Sequence, residues 1–222
     1  MRSPSAPGSS LMTGRSETAV RDLRTVLHPL DSPIDDLPVR GYRPASGVWR
    51  PKSAAVLIPV FVDSVQPEIL LTVRSRRLPQ HAGQVSLPGG GRQGNEAFPV
   101  GTAIRETVEE VGIDESVIEP LGLLDQFDTI TGYRVSPVVA LVHGNPEPDP
   151  CPDEVDSVFS LSWQQVTRPE TYRRHHVIRG HHRYELYSMA ATPRVVWGAT
   201  AAILHQLCEL CSSQSVFLTQ TE

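Results

Sequence analysis

Three glutamates, Glu106, Glu109 and Glu110, stand at positions i, i+3 and i+4 of one short segment. On a helix these carboxylates project within an arc of about 100° and repel one another. They also lie in the last two turns before Gly112, a natural helix stop, where the negative end of the helix dipole disfavours further negative charge. A cation relieves both penalties. Arg105, beside the first glutamate, can reach around the helix and hold a carboxylate in place. Ahead of the helix stands Pro88-Gly89-Gly90-Gly91. Here the backbone can approach a ligand closely and leave carbonyls, Gly89 among them, free to bind metal. Carboxylates plus a carbonyl make an all-oxygen ligand set, which suits Mg2+ or Mn2+ and not zinc. Such an ion bridges phosphate oxygens and lowers the pKa of a bound water. The alternative for the glutamates alone is a solvated acidic face.

Composition supports the need for a cation. The net charge of −5 and pI of about 5.9 leave no basic field to hold a nucleic-acid backbone, so a polyanionic substrate needs a metal between it and the protein. The expected partner is a small molecule, with neither nucleic acid nor membrane involved, and the chain is read as a monomer or homodimer. No apolar run approaches the ~20 residues of a membrane span. Three cysteines, Cys151, Cys208 and Cys211, are too few for a disulfide framework and point to a reducing, cytoplasmic setting. An opening that bears Ser and Arg but no acid before Glu17 leaves a mitochondrial presequence as the alternative. Cys208-x-x-Cys211 lacks two further ligands at suggestive spacing, so packing is expected of it, not zinc. His175, His176, His181 and His182 have no acid at ligand spacing and read as solvated or substrate-edge histidines.

The elements that must position these residues follow from periodicity and punctuation. Residues 1 to about 16 are Ser/Pro/Gly-rich and expected to be disordered. A short amphipathic helix is expected over Glu17–His28, then a Pro-rich connector to Lys52. Strands are expected at Ala54–Val62 and over the segment EILLTVRS, joined as a hairpin. Arg76–Gly94 is a long Gly- and Pro-rich loop, and loops of that length usually carry function. Pro99–Val111 is predicted helical with Val100, Ala103, Ile104, Val108 and Val111 inward. Further strands are expected at Ile118–Leu124, Val135–Val142, Val155–Leu161 and Tyr184–Ser188. Trp163–Val166 reads as a helical turn, and Gly198–Cys211 as a closing helix. Strands and helices mix without regular alternation, which argues for a compact α+β or layered α/β domain. The expected organisation is an arm over 1–50, a catalytic domain over 51–212 and a tail over 213–222.

The run Arg105-Glu-Thr-Val-Glu-Glu-Val-Gly112, preceded by a glycine pair, resembles the Nudix box. The resemblance implies an α/β/α sandwich with a mixed central sheet and a loop-helix-loop motif. That motif binds Mg2+ and cleaves a nucleoside diphosphate linked to another moiety. In this reading Glu106, Glu110 and Glu109 are metal ligands. Glu109 serves as ligand or base, and Arg105 supports them. The usual box has a glutamate eight residues before the arginine. That position here is Ala97, with Glu96 beside it, and the stretch from Gly90 to Arg105 is one residue longer than the common spacing.

Upstream, LLTVRSRRLPQHAGQVSLPGG (Leu70 to Gly90) resembles the signature of the coenzyme A pyrophosphatase branch of that family. It departs from the signature at Pro79 and Leu87. Glu154-Val155 with Val158-Phe159, and Trp197-Gly198 with Thr200-Ala201, also resemble that branch. The likeness implies hydrolysis of coenzyme A to 4′-phosphopantetheine and adenosine 3′,5′-bisphosphate. Arg74, foremost of Arg74, Arg76 and Arg77, then suits the phosphates of a coenzyme A-like dinucleotide. His81 and Gln84 either donate to a phosphate or pin the loop. Family members often draw a further acid from outside the box. Glu154 is the candidate, with Asp153 and Asp156 as competitors. Two rivals remain: a Nudix hydrolase of NADH, ADP-ribose or a nucleotide sugar, and a binding module that keeps the fold without activity.

Overall fold

The computed structural model describes residues 23–44, 48–64, 66–179, 182–190 and 194–214. The N-terminal stretch read as disordered, most of the helix expected over Glu17–His28 and the end of the tail lie outside them. Of that helix, residues 23–26 are seen and are helical.

The most apolar run of the chain becomes the centre of the fold. β2 (Lys52–Phe61) pairs in parallel with β8 (Tyr133–Val142) over their whole lengths, from Lys52 opposite Tyr133 to Phe61 opposite Val142. Near-continuous apolar character is what a strand covered on both faces requires. Along β2 the side chains alternate between two cores. Ala55, Leu57 and Phe61 enter one, while Ala54, Ile58 and Val60 enter the other. β3 (Glu68–Arg74) returns antiparallel beside β2, as the expected hairpin, and carries β9 (Val155–Ser162) antiparallel on its far side. β6 (Ile118–Leu123) pairs antiparallel with β8.

Four short strands had no periodic signal to reveal them. β1 (Val39–Gly41) pairs in parallel with β7 (Gln126–Asp128), and β7 pairs antiparallel with β8. β4 (Val85–Ser86) adds to β3, and the glycine-rich β5 (Gly89–Gly91) adds to β2. Among the described residues these nine strands make one mixed sheet. A second sheet holds β10 (Tyr172–Arg179), β11 (His182–Ala190) and β12 (Val195–Trp197), all antiparallel.

Helices cover both faces of the large sheet, giving the expected α/β/α layering. α1 (Val100–Val111) closes one core through Ala103 and Val111, against Ala55, Leu57, Val138 and Ala140. α2 (Trp163–Thr167), capped by Ser162 and Gln165, and α3 (Gly198–Gln214) close the other. There Trp163, Leu204, Leu207, Cys208 and Cys211 pack with Ile58, Leu71 and Val139. Both cysteines of the CxxC pair are buried and free, as packing residues would be. No helix among the described residues is long and apolar enough to cross a membrane. In α1 the buried side differs from expectation. Val108 is 38% exposed, whereas Thr102, Glu106, Thr107 and Glu110 are buried with Ala103 and Val111. The helix is rotated so that two of its acids, and not Val108, face the sheet edge at β5.

Candidate active site

α1 runs until Gly112, whose left-handed backbone (φ 68°) ends it and whose N–H bonds back to the Val108 carbonyl. A Cβ at Gly112 would stand 2.8 Å from the Asp149 carbonyl oxygen, so the loop after β8 can close tightly over the helix end. That loop is pinned there by Asp149 N–H to the Val111 carbonyl and Cys151 N–H to the Glu110 carbonyl. Its far end is held by Ser75 N–H to the Glu154 carbonyl. Glu154 is thereby brought to the helix. Carboxylate oxygens of Glu106, Glu110 and Glu154 all lie within 4.8 Å of one another.

The first two of these acids are buried and the third is exposed. Burial pushes Glu106 above the usual carboxylate range despite the adjacent Arg105, and pushes Glu110 up to about 7. Gly89 meets the cluster through its amide, which donates to Glu110 Oε2 at 3.1 Å. Gly90 is needed for room, because a Cβ there would lie 2.5 Å from the Glu106 carboxylate. Two desolvated carboxylates facing a third in a glycine-lined niche make an oxygen-rich, cation-seeking donor set, and a divalent ion fits it.

Arg105 organises the remaining acids. Its Nε donates to Glu96 at 2.9 Å, and its terminal nitrogens donate to Glu109 at 2.7 Å and Glu106 at 2.8 Å. Glu96 also accepts from Thr102 Oγ1 and the Gln93 amide, both at 2.6 Å. These bonds, from Arg105 first, hold its pKa down to about 2. Glu96 therefore anchors the arginine from the position next to Ala97. Glu109 is exposed, tied to Arg105, and lies apart from the three-carboxylate cluster.

A cleft of about 1220 Å³ has the glycine loop at one side and is lined by Arg74, His81, Gln84, Gly89, Gly90 and Gly91. Arg74 Nη1 stands 3.8 Å from Glu110, and its buried Nε has no hydrogen-bond partner among the described residues. The 81–84 turn folds back on the end of β3 through Arg74 N–H to the Gln84 carbonyl and Gly83 N–H to the Arg74 carbonyl. His81 Nδ1 and Gln84 Oε1 are 2.9 Å apart, so the two side chains brace each other. Arg76 and Arg77 are instead exposed partners of Asp156 and Asp153, outside the cleft. His175 and His176 lie exposed on β10, with His175 bonded to Ser188. The lining also includes Trp197, from the Trp197-Gly198 pair of the branch resemblance, and Tyr42, Phe127 and Tyr184, which sequence reasoning did not single out. Only their juxtaposition across distant segments marks them.

A carboxylate triad at a glycine-flanked helix, beside a cleft lined by Arg74, has the donor set that a metal-dependent phosphate-ester or phosphoanhydride hydrolase requires. The NUDIX domain model matches residues 51–179. The chain is 36% identical to the Nudix hydrolase NudL of Pectobacterium atrosepticum over 72% of this chain and 83% of that one. It is 38% identical to NudL of Citrobacter koseri over 70% and 81%. Among solved structures, a MutT/nudix family protein from Enterococcus faecalis is similar at 18% identity and a TM-score of 0.49, over 77% of this chain and 66% of that one. The chain belongs to the Nudix hydrolase family.

Proposed function

We propose that this Nudix hydrolase cleaves the diphosphate of coenzyme A or its acylated or oxidised forms, giving 4′-phosphopantetheine and adenosine 3′,5′-bisphosphate. The observation that carries the reading is the placing of Arg74 and the braced His81–Gln84 turn, all from the upstream signature, along a cleft whose lining residues Arg74, Gly89 and Gly90 also adjoin Glu110 and Glu106. In this assignment Glu106, Glu110 and Glu154 hold Mg2+ or Mn2+. The bound ion supplies charge neutralisation and an acidified water. Arg74, already within 3.8 Å of Glu110, turns its guanidinium to the diphosphate and offsets its charge. Glu154 is the exposed member of the cluster and is assigned as the group that takes the proton from the attacking water. Arg105 favours the ionised form of Glu106 against its burial and orients it, and Glu96 fixes Arg105.

Turnover of coenzyme A, NADH and ADP-ribose with Mg2+ or Mn2+ tests the assignment. The expected result is a kcat/KM for coenzyme A at least about tenfold above the others, and phosphopantetheine as a product. Preference for NADH or ADP-ribose overturns the substrate, and no turnover of any of them overturns the reaction.

A further inference from the structure

Part of the cleft lining is aromatic, with Tyr42 and Tyr184 drawn from distant segments and Trp49 packed against Tyr42. Tyr42 stacks on Tyr184 with ring centroids 5.3 Å apart and planes at 30°, and Trp49 leans on Tyr42 at 5.1 Å. This group is held from behind by a fully buried carboxylate. Asp128, 0% exposed, accepts two hydrogen bonds from Arg134, at 2.7 and 2.9 Å, and one from the Trp49 indole at 2.8 Å. The Asp128 carbonyl accepts the Tyr42 amide at 2.7 Å. Two of these ties to one buried residue, from the Trp49 indole and the Tyr42 amide, fix the positions of Trp49 and Tyr42 before any ligand arrives. Tyr42 and Tyr184 both line the cleft, with the exposed Arg43 and Arg183 beside them.

A flat, rigid π surface flanked by guanidinium groups matches a planar heterocycle carried on a phosphorylated sugar. It does not match a flexible aliphatic amide chain. We infer that the Tyr42–Tyr184 face is the nucleobase subsite of the diphosphate substrate, which rests on the function proposed above. The two rings already touch, so the base adds as the next layer of the stack and does not insert between them. The arm before β2 and the β10–β11 hairpin thereby become specificity elements, joined through the substrate.

Calorimetric binding of AMP, ribose 5-phosphate and 4′-phosphopantetheine, with the Mg2+ form of the intact chain, tests this. For the wild type, AMP should bind more tightly than ribose 5-phosphate. Tyr42→Ala and Tyr184→Ala should each weaken AMP about tenfold and leave ribose 5-phosphate and phosphopantetheine within twofold. Tyr42→Phe and Tyr184→Phe, which keep the ring, should bind AMP like the wild type, and the two alanine variants should raise KM for coenzyme A with kcat within about threefold. AMP affinity indifferent to both alanine variants overturns the inference, as does a loss confined to phosphopantetheine. Should the wild type turn over none of the diphosphates yet bind AMP through these tyrosines, the reaction falls and the subsite stands. Should it hydrolyse coenzyme A while the alanine variants match it in AMP binding and KM, the subsite falls and the reaction stands.

Discussion

Glu110 is 3% exposed, and burial holds its pKa near 7, above the 4.5 of an unperturbed glutamate. Its contribution to stability is therefore complete below about pH 4.5 and disappears as pH rises through 7, amounting to about 3 kcal/mol at most. In a chelator, Tm should fall between pH 5 and pH 8, and Glu110→Gln should flatten that fall. Mg2+ or Mn2+ should raise Tm more at pH 8 than at pH 5, because binding requires the ionised carboxylate. Thermal melts across this range check the sign; an equal metal effect at both pH values contradicts the role given to Glu110. The acids on α1 also separate kinetically. Glu106→Gln and Glu110→Gln should each lower kcat/KM by several orders of magnitude. Glu109→Gln, at an exposed carboxylate tied to Arg105, should cost about tenfold or less, and Glu96→Gln about 10- to 100-fold through loss of the arginine's anchor. Initial rates at saturating metal rank the four, and a Glu109 variant as impaired as Glu110→Gln would sink the division. The glutamate spacing and the glycines made the acidic helix legible in the sequence. The separation of Glu109 from its neighbours was not, because i, i+3 and i+4 share a face and only packing against β5 decides which of them is buried.

The element that matters most is the end of α1 together with the loop closing over it. Gly112→Ala introduces a side chain at φ 68° and 2.8 Å from the Asp149 carbonyl, in the loop that delivers Glu154. The expected cost is about 1–3 kcal/mol of stability. Metal affinity should fall more than a generally destabilised variant of equal Tm would show. Paired measurements of Tm and metal titration on Gly112→Ala, against Ile203→Val in the distant core, separate the two effects. Most long strands and helices were readable to within a few residues because burial imposes a period over many positions; β10, whose residues 173–178 are all exposed, was not expected as a strand. β1, β4, β5 and β7 were not, since two or three residues carry no period and owe their strand character to a neighbour's unpaired edge. Val108 was misplaced for a related reason. Apolar spacing in α1 predicts the valine inward, but the glycine loop lets carboxylates occupy part of that side.

At the scale of the molecule, the three acids come from two sides of the sheet's connectivity, and the cleft draws on segments from Arg40 to His205. A motif can reveal a helix, but a wall such as Tyr42 with Tyr184 exists only after the chain has crossed the sheet several times. The parallel β2–β8 ladder has a further consequence for how the protein is made. Lys52 waits for Tyr133, about 80 residues later, so β2 leaves the ribosome long before its central partner is synthesised. Until then one of its edges is unpaired and its Val-, Leu- and Ile-rich faces are bare, the condition in which nascent chains attract chaperones or one another. Synthesis that pauses within the segment between these strands should favour aggregation, and the vulnerable interval ends when Val142 has emerged.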